Sequence, residues 1–148
     1  MSVTLTHSPA DILRWLLVSL GAGSAPSSSS DWPIFATQEP DRPDNCITVF
    51  DTAGVLDGRQ MPTGVQMEHE GWQIRIRART HNVGWQKAKE IADLLDQSVV
   101  RYVVVIGGHQ YLVQCVSRTS GVLSLGEESP QTKRRVFTLN GIMAVREI

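Results

Sequence analysis

The chain has 148 residues, of which 41% are hydrophobic and 20% charged, with a formal net charge of −1. That length fits one domain able to bury a core without staples, and that charge excludes bulk attraction to nucleic acid or to an anionic membrane, so any basic surface must be local. The two cysteines, Cys46 and Cys115, lie far apart and outside any Cys-x-x-Cys spacing, which predicts free thiols in a reducing compartment.

Ser8-Pro9-Ala10-Asp11 reads as a helix start. Ser8 can cap free amides, Pro9 suits the first helical position, and Asp11 complements the positive end of the dipole. Ile12, Leu13, Leu16, Leu17 and Leu20 then form one apolar stripe at helical spacing. Gly21 and Gly23 end the helix. The run from Ile12 to Leu20 follows no basic leader and is too short to span a bilayer, so a soluble cytoplasmic protein is expected and not a secreted one. Residues 24–30, ending in four serines, read as a flexible connector inside a single domain covering residues 1–148.

From Trp32 the pattern turns strand-like. Trp32 to Gln38 is a short strand with Pro33 near its start, as an edge strand tolerates. Glu39 to Asp44 is a turn cluster, and Cys46 to Phe50 is a β-branched and aromatic strand. Thr52 to Gly64 holds two internal glycines and a proline among polar residues and reads as a long mobile loop. Val55, Leu56 and Met61 ride on it beside Asp57 and Arg59; apolar residues on such a loop often order only under a partner.

The next strand carries the most informative pattern in the chain. Gln73 to Arg79 alternates without a break, so Trp72, Ile74, Ile76 and Ala78 share one face and Gln73, Arg75, Arg77 and Arg79 the other. Gly71 suggests a bulge between Val65–His69 and Trp72–Thr80. Three arginines on one face repel one another, an arrangement that gains from acidic partners. The ladder is therefore a solvated face, a protein–protein interface or a nucleic-acid contact, and Arg134 and Arg135 add a second basic cluster. Aromatics interleaved with the charges, which single-strand binding would want, are absent from that face.

Asn82 to Gln97 is helical, with Trp85, Ala88, Ala92 and Leu95 on its apolar face. Arg101–Ile106 and Gln110–Arg118 form a hairpin around Gly107-Gly108. A turn at Gly121, a polar segment from Gly126 to Lys133 and a strand from Arg134 to Arg146 complete the chain. The order α-βββ-α-βββ predicts an α+β fold with a mostly antiparallel sheet and both helices on one face. Trp15, Trp32, Trp72 and Trp85 serve as core anchors, Trp32 the most exposed of them.

No catalytic constellation stands out. His7, His69, His81 and His109 have no metal-ligand spacing, there is no nucleophile elbow, and Gly107-Gly108 joins strands and so cradles no phosphate. The residues thus name no catalytic, cofactor-binding or metal site. A small nucleic-acid-binding module and a small-molecule enzyme are the competing readings from other classes.

Three segments carry a family likeness. Pro43-Asp44-Asn45-Cys46-Ile47-Thr48-Val49-Phe50-Asp51-Thr52-Ala53-Gly54 resembles the P-D-x-x-I-x-V-Y-D-T-x-G strand and turn of bacteriophage minor capsid and tail terminator proteins. Gly71 to Arg79 is similar to that family's G-F-Q-V-R-V-R-x-R strand, and Gly84-Trp85-Gln86-Lys87-Ala88 through Leu94-Leu95 to the helix after it. The resemblance implies a structural virion protein, without catalysis or cofactor, at the head–tail interface of a long-tailed phage. There it would form a homo-oligomeric, hexameric ring that terminates the tail tube and docks the head connector. A head-completion or minor capsid protein and a tail-tube component are its near neighbours. The implied partners are the tail tube protein and the head connector or head-completion protein, with DNA only passing through the channel and no membrane. The implied location is the virion tail or neck, after assembly in the host cytoplasm. On this resemblance Arg75, Arg77, Arg79, Arg134 and Arg135 would line a subunit interface or the channel. Val55, Leu56, Asp57, Arg59 and Met61 would contact the tail tube or a neighbouring subunit.

Overall fold

The structure, a computed structural model, describes residues 4–26, 31–59, 61–62 and 66–148. In chain order its elements are α1 (Pro9–Ser19), β1 (Ile34–Ala36), β2 (Cys46–Arg59), β3 (Gln66–Ala78), α2 (His81–Ser98), β4 (Val100–Ile106), β5 (His109–Arg118), β6 (Leu123–Glu127) and β7 (Arg135–Glu147). The strands form one seven-stranded sheet in the order β1-β2-β3-β7-β5-β4, with β6 beside β7. Only β1 runs parallel to its neighbour; every other pair is antiparallel. The last strand forks the sheet. One edge of β7 follows β3, while the other is shared by β6 along Arg135–Thr138 and β5 along Gly141–Glu147.

The alternation that marked β3 determines where the core lies. Trp72, Ile74, Ile76 and Ala78 are fully buried. Val49 and Leu139 lie opposite Ile74, and Ile47 and Phe137 opposite Ile76, so one face is apolar across β2, β3 and β7. Ile12, Leu13, Leu16 and Leu17 of α1 and Ala88, Ile91, Ala92 and Leu95 of α2 join the same buried cluster. The helix stripes and the strand parity therefore meet on a single surface, as the sequence implies. Ser8 caps α1 by accepting from the Asp11 amide at 3.3 Å. Asp51 of β2 accepts from the Ala10 amide at 2.8 Å, which ties the helix start to the sheet.

Several expectations need correction. The stretch from Thr52 to Gly64 is not a loop as far as Arg59: β2 continues through it, paired with β3 across two bulges. Gly54 and Gly58 read as breakers, but a glycine inside a strand also marks a bulge, and both bulges fall on β2 near them. Gln60 and residues 63–65 lie outside the described residues, as do residues 27–30 of the serine-rich connector. At its start, Ser24 is bonded to Trp32 and Ile34 and donates its hydroxyl to the Asp31 carbonyl.

The element order gains a strand, β6, between the turn expected at Gly121 and the polar segment expected from Gly126, whose first two residues it includes. Its leucines alternate with Ser124 and Gly126, too short a pattern to stand out. Trp32 and Thr37 have left-handed φ values of 51° and 67°, which confine β1 to three residues. Trp85 is 41% exposed and lies edge-on to Phe137, so it borders the core without anchoring it.

Candidate assembly surfaces

The middle of the arginine ladder does not face water. Arg77 is only 1% exposed. The chain from Thr37 to Asn45, which connects β1 to β2, crosses the polar face of the sheet and covers it. Arg77 donates to the carbonyls of Pro43 at 2.7 Å, Asp41 at 3.2 Å and Asp44 at 3.3 Å. Its Nη1 also lies 3.5 Å from Glu128 and 3.7 Å from Glu39. A guanidinium has five donors in a planar fork, and this fork is used in nearly every direction.

Arg134 repeats the pattern from the far side. It is 5% exposed, reaches Glu128 at 2.6 Å and Asp44 at 3.4 Å, and donates to the Asp41 carbonyl. Arg75 Nε lies 3.0 Å from Glu39. The acids that neutralise the ladder therefore come from two places, the turn cluster Glu39–Asp44 and the segment after β6. Burial raises the Asp44 carboxyl, but the hydrogen bond from Arg79 and the charges of Arg42, Arg79 and Arg134 outweigh it and hold the group below its ordinary value. Burial likewise disfavours the Arg134 cation, yet Glu128 and Asp41 raise its pKa above the ordinary value.

The sequence reading did not foresee that Arg77 and Arg134 are buried and paired within the chain. Arg75 keeps a partly exposed side chain, Arg79 is largely exposed while paired to Asp44 at 3.2 Å, and Arg135 is paired to Glu127 at 3.7 Å on the surface. Sequence reasoning missed Glu39, Asp41, Asp44 and Glu128 as the ladder's partners. A signal existed: three acids are packed into a turn that leads directly into the strand beside the ladder.

The second surface is a projecting ribbon. β1 pairs with β2 only along Ile47–Val49, and β7 pairs with β3 only from Glu70 onward. Beyond those points Val55–Arg59 and Gln66–His69 pair with each other as a two-stranded ribbon, with no third strand beside them among the described residues. At its base Gly54 and Gly71 allow a close approach: a Cβ on Gly54 would meet the His69 carbonyl, and one on Gly71 the Ala53 carbonyl. The ribbon exposes Val55 at 49% and Leu56 at 67%, and Met61 in the turn at its tip is almost wholly exposed. Asp57 pairs with His69 across it. Arg59 lies at the end of β2.

The sequence-predicted contact residues are thus brought together, on a hairpin and not on a loop. Nearby, Glu70 has its pKa raised by burial and by the neighbouring charges of Glu68 and Asp51. His7 and His109 meet edge-on with ring centres 5.5 Å apart, His7 bonded to Tyr111 and His109 to Glu147 at 3.1 Å, while His69 pairs with Asp57 and His81 lies against Phe137. Among the described residues, no group of three or more His, Cys, Asp or Glu is placed to hold a metal ion, and no helix is long and apolar enough to cross a membrane.

The structure is thus an α+β body with ion pairs across its polar sheet face and a ribbon that exposes Val55 and Leu56. The chain belongs to the bacteriophage tail terminator protein family, whose sequence model matches residues 16–129. Membership gives it a structural role in the phage tail and makes it a virion component. No curated protein matches the chain.

Proposed function

We propose that this protein closes the tail tube of a long-tailed bacteriophage as a ring at the head–tail interface, and that the finished ring offers the docking surface for the head connector. The tail terminator family match supports the location. The observation that carries the assembly role is the ribbon, where Val55, Leu56 and Met61 are exposed on an element with no core of its own. A two-stranded hairpin alone in water is marginal at best, and this one gains stability when something covers it.

The mechanism is one of contact. Each subunit offers different surfaces to its two neighbours, and the contact closes by rotation into a ring, with six copies as the expected number. The buried arginine clasp serves this indirectly by fixing the Thr37–Asn45 cover on the sheet, so the body stays rigid while the ribbon engages a partner. Arg79 and Arg135 remain as surface cations for the subunit contact or the channel wall. The reading assigns no reaction to the protein, and DNA only passes through the ring.

Purified protein tests this by light scattering over a range of concentrations, with negative-stain imaging, alone and with tail tubes. Discrete rings, or rings that form on the tube end, support the reading. A strict monomer under every condition contradicts it.

A further inference from the structure

An open cleft of about 390 Å³ lies at the end of the β2–β3 pair opposite the ribbon. Trp32, Pro43 and Val83 give it apolar walls, and Asp31, Asp44 and Arg79 also line it. Val83, in the first turn of α2, is exposed there. Trp32 is fixed despite its left-handed φ of 51°: Lys87 Nζ lies 5.3 Å from its ring centre and donates to the Ala22 carbonyl at 2.7 Å. Around Asp44 the rim carries surplus positive charge. That one carboxylate serves Arg42 at 3.3 Å, Arg79 at 3.2 Å and Arg134 at 3.4 Å. The side chains of Arg42 and Arg79 are 79% and 77% exposed, so two surface cations share a single acid. Asp31, the other carboxylate of the cleft, is exposed beside Trp32.

The ribbon presents the complement. Glu68 is exposed and lies directly opposite Leu56 in the ladder, so an acid and an apolar side chain share one ribbon face. Glu70 stands two residues along the same strand, and its pKa is raised by burial and by Glu68 and Asp51, the sign of crowded negative charge at the ribbon's base. Arg59 lies three residues beyond Leu56, toward the tip. Ribbon and cleft cannot meet within one chain. The cleft adjoins Cys46 at the start of β2, and ten residues of that strand, roughly 30 Å, separate Cys46 from Leu56. A ribbon seated in such a cleft therefore belongs to another copy.

We propose that the ribbon of one subunit seats in the cleft of the next, with Leu56 against Val83 and Trp32 and Glu68 beside Arg79. Removing Leu56 and Val83 from water gives the contact affinity. The acid meeting a cation that already shares its own partner gives it register and specificity. The contact is heterologous, since ribbon and cleft are different surfaces of one chain, and repetition around an axis closes a ring. The inference rests on the ring reading and names the surfaces that build it.

Charge exchange and cross-linking test it together. Glu68→Arg and Arg79→Glu should each raise the concentration at which rings form by about tenfold or more, because each sets like charges face to face. The double variant restores opposite charges across the contact and should assemble close to wild type. Rescue cannot arise inside one subunit, where the two positions lie at opposite ends of the β2–β3 pair. Separately, in a Cys115→Ser background that leaves only the buried Cys46, one preparation carries Leu56→Cys and another Val83→Cys. Assembled together and treated with a short bis-maleimide, the mixture should give roughly tenfold more linked dimer than either variant alone. A double charge variant no better than the singles, or cysteine-bearing rings without the link, would overturn the inference and leave the ring reading standing. Wild-type protein that forms no assembly by light scattering would remove both.

Discussion

Arg77, next to last in the central strand β3, lies 3.5 Å from Glu128, which follows the short strand β6. The contact joins two parts of the chain that flank the sheet, behind the cover formed by residues 37–45. It turns what looked like a charged surface into an internal clasp, and it decides what an arginine substitution can report.

Replacing Arg77 should damage folding and not assembly alone. Arg77→Ala leaves three buried carbonyls without their donor and takes one cation from Glu39 and Glu128, which keep Arg75 and Arg134, at a cost of about 3 kcal/mol. Arg77→Lys should recover only part of this, because a point charge cannot reproduce the planar fork. Arg79→Ala, at a largely exposed site, should cost less than about 1 kcal/mol. Urea unfolding of the three variants checks the ranking, and an unaltered midpoint for Arg77→Ala would refute the clasp.

The acid limb of stability should depend on Asp44. Its folded pKa lies below the ordinary 3.8, so its contribution is fully present above that pH and is lost as pH falls through the folded value. Asp44→Asn should therefore melt earlier than wild type at pH 7, and the gap should close below about pH 4. A gap that stays constant down to pH 2 would count against this assignment.

Glu70 has the opposite sign. Its folded pKa is raised by burial and by Glu68 and Asp51, so the protonated form favours the fold. Its contribution is full below the ordinary 4.5 and is lost as pH rises through the folded value, so the ionised group burdens the protein at neutral pH. Glu70→Gln should raise the melting temperature at pH 7 and leave it nearly unchanged at pH 4. Scanning calorimetry at the two pH values separates the cases.

The thiols should react in order. Cys115 is exposed and Cys46 is buried, with the Cys46 thiol pushed up to about 11 by burial. A thiolate-specific reagent should modify one cysteine per native chain promptly and the second only on unfolding. Two fast thiols in the native protein would place Cys46 wrongly.

Much of the fold was legible because it rests on periodicity. The unbroken alternation around Ile74 and Ile76 gave the buried face of β3, and the Ile12–Leu17 stripe gave α1. What was hidden depends on contacts distant in sequence. Nothing local to Arg77 says that Glu39 and Glu128 will meet it, so a ladder with internal partners looks like a ladder seeking external ones. The ribbon was missed for another reason: Gly54 and Gly58 break propensity in a segment whose pairing strand lies beyond a turn, and bulges restore that pairing only once both strands are in place. What was legible there is the exposure of Val55, Leu56 and Met61, apolar residues on a polar segment.

The central claim is that the chain assembles into a closed ring through the ribbon, and mass in solution tests it most directly. Wild-type protein, alone or with tail tubes, should show a discrete multi-subunit mass, and Leu56→Asp, placed on an exposed site that leaves the body folded, should shift that mass to the monomer. Wild-type protein that stays monomeric under both conditions, or a Leu56→Asp variant that assembles as wild type does, would contradict the account.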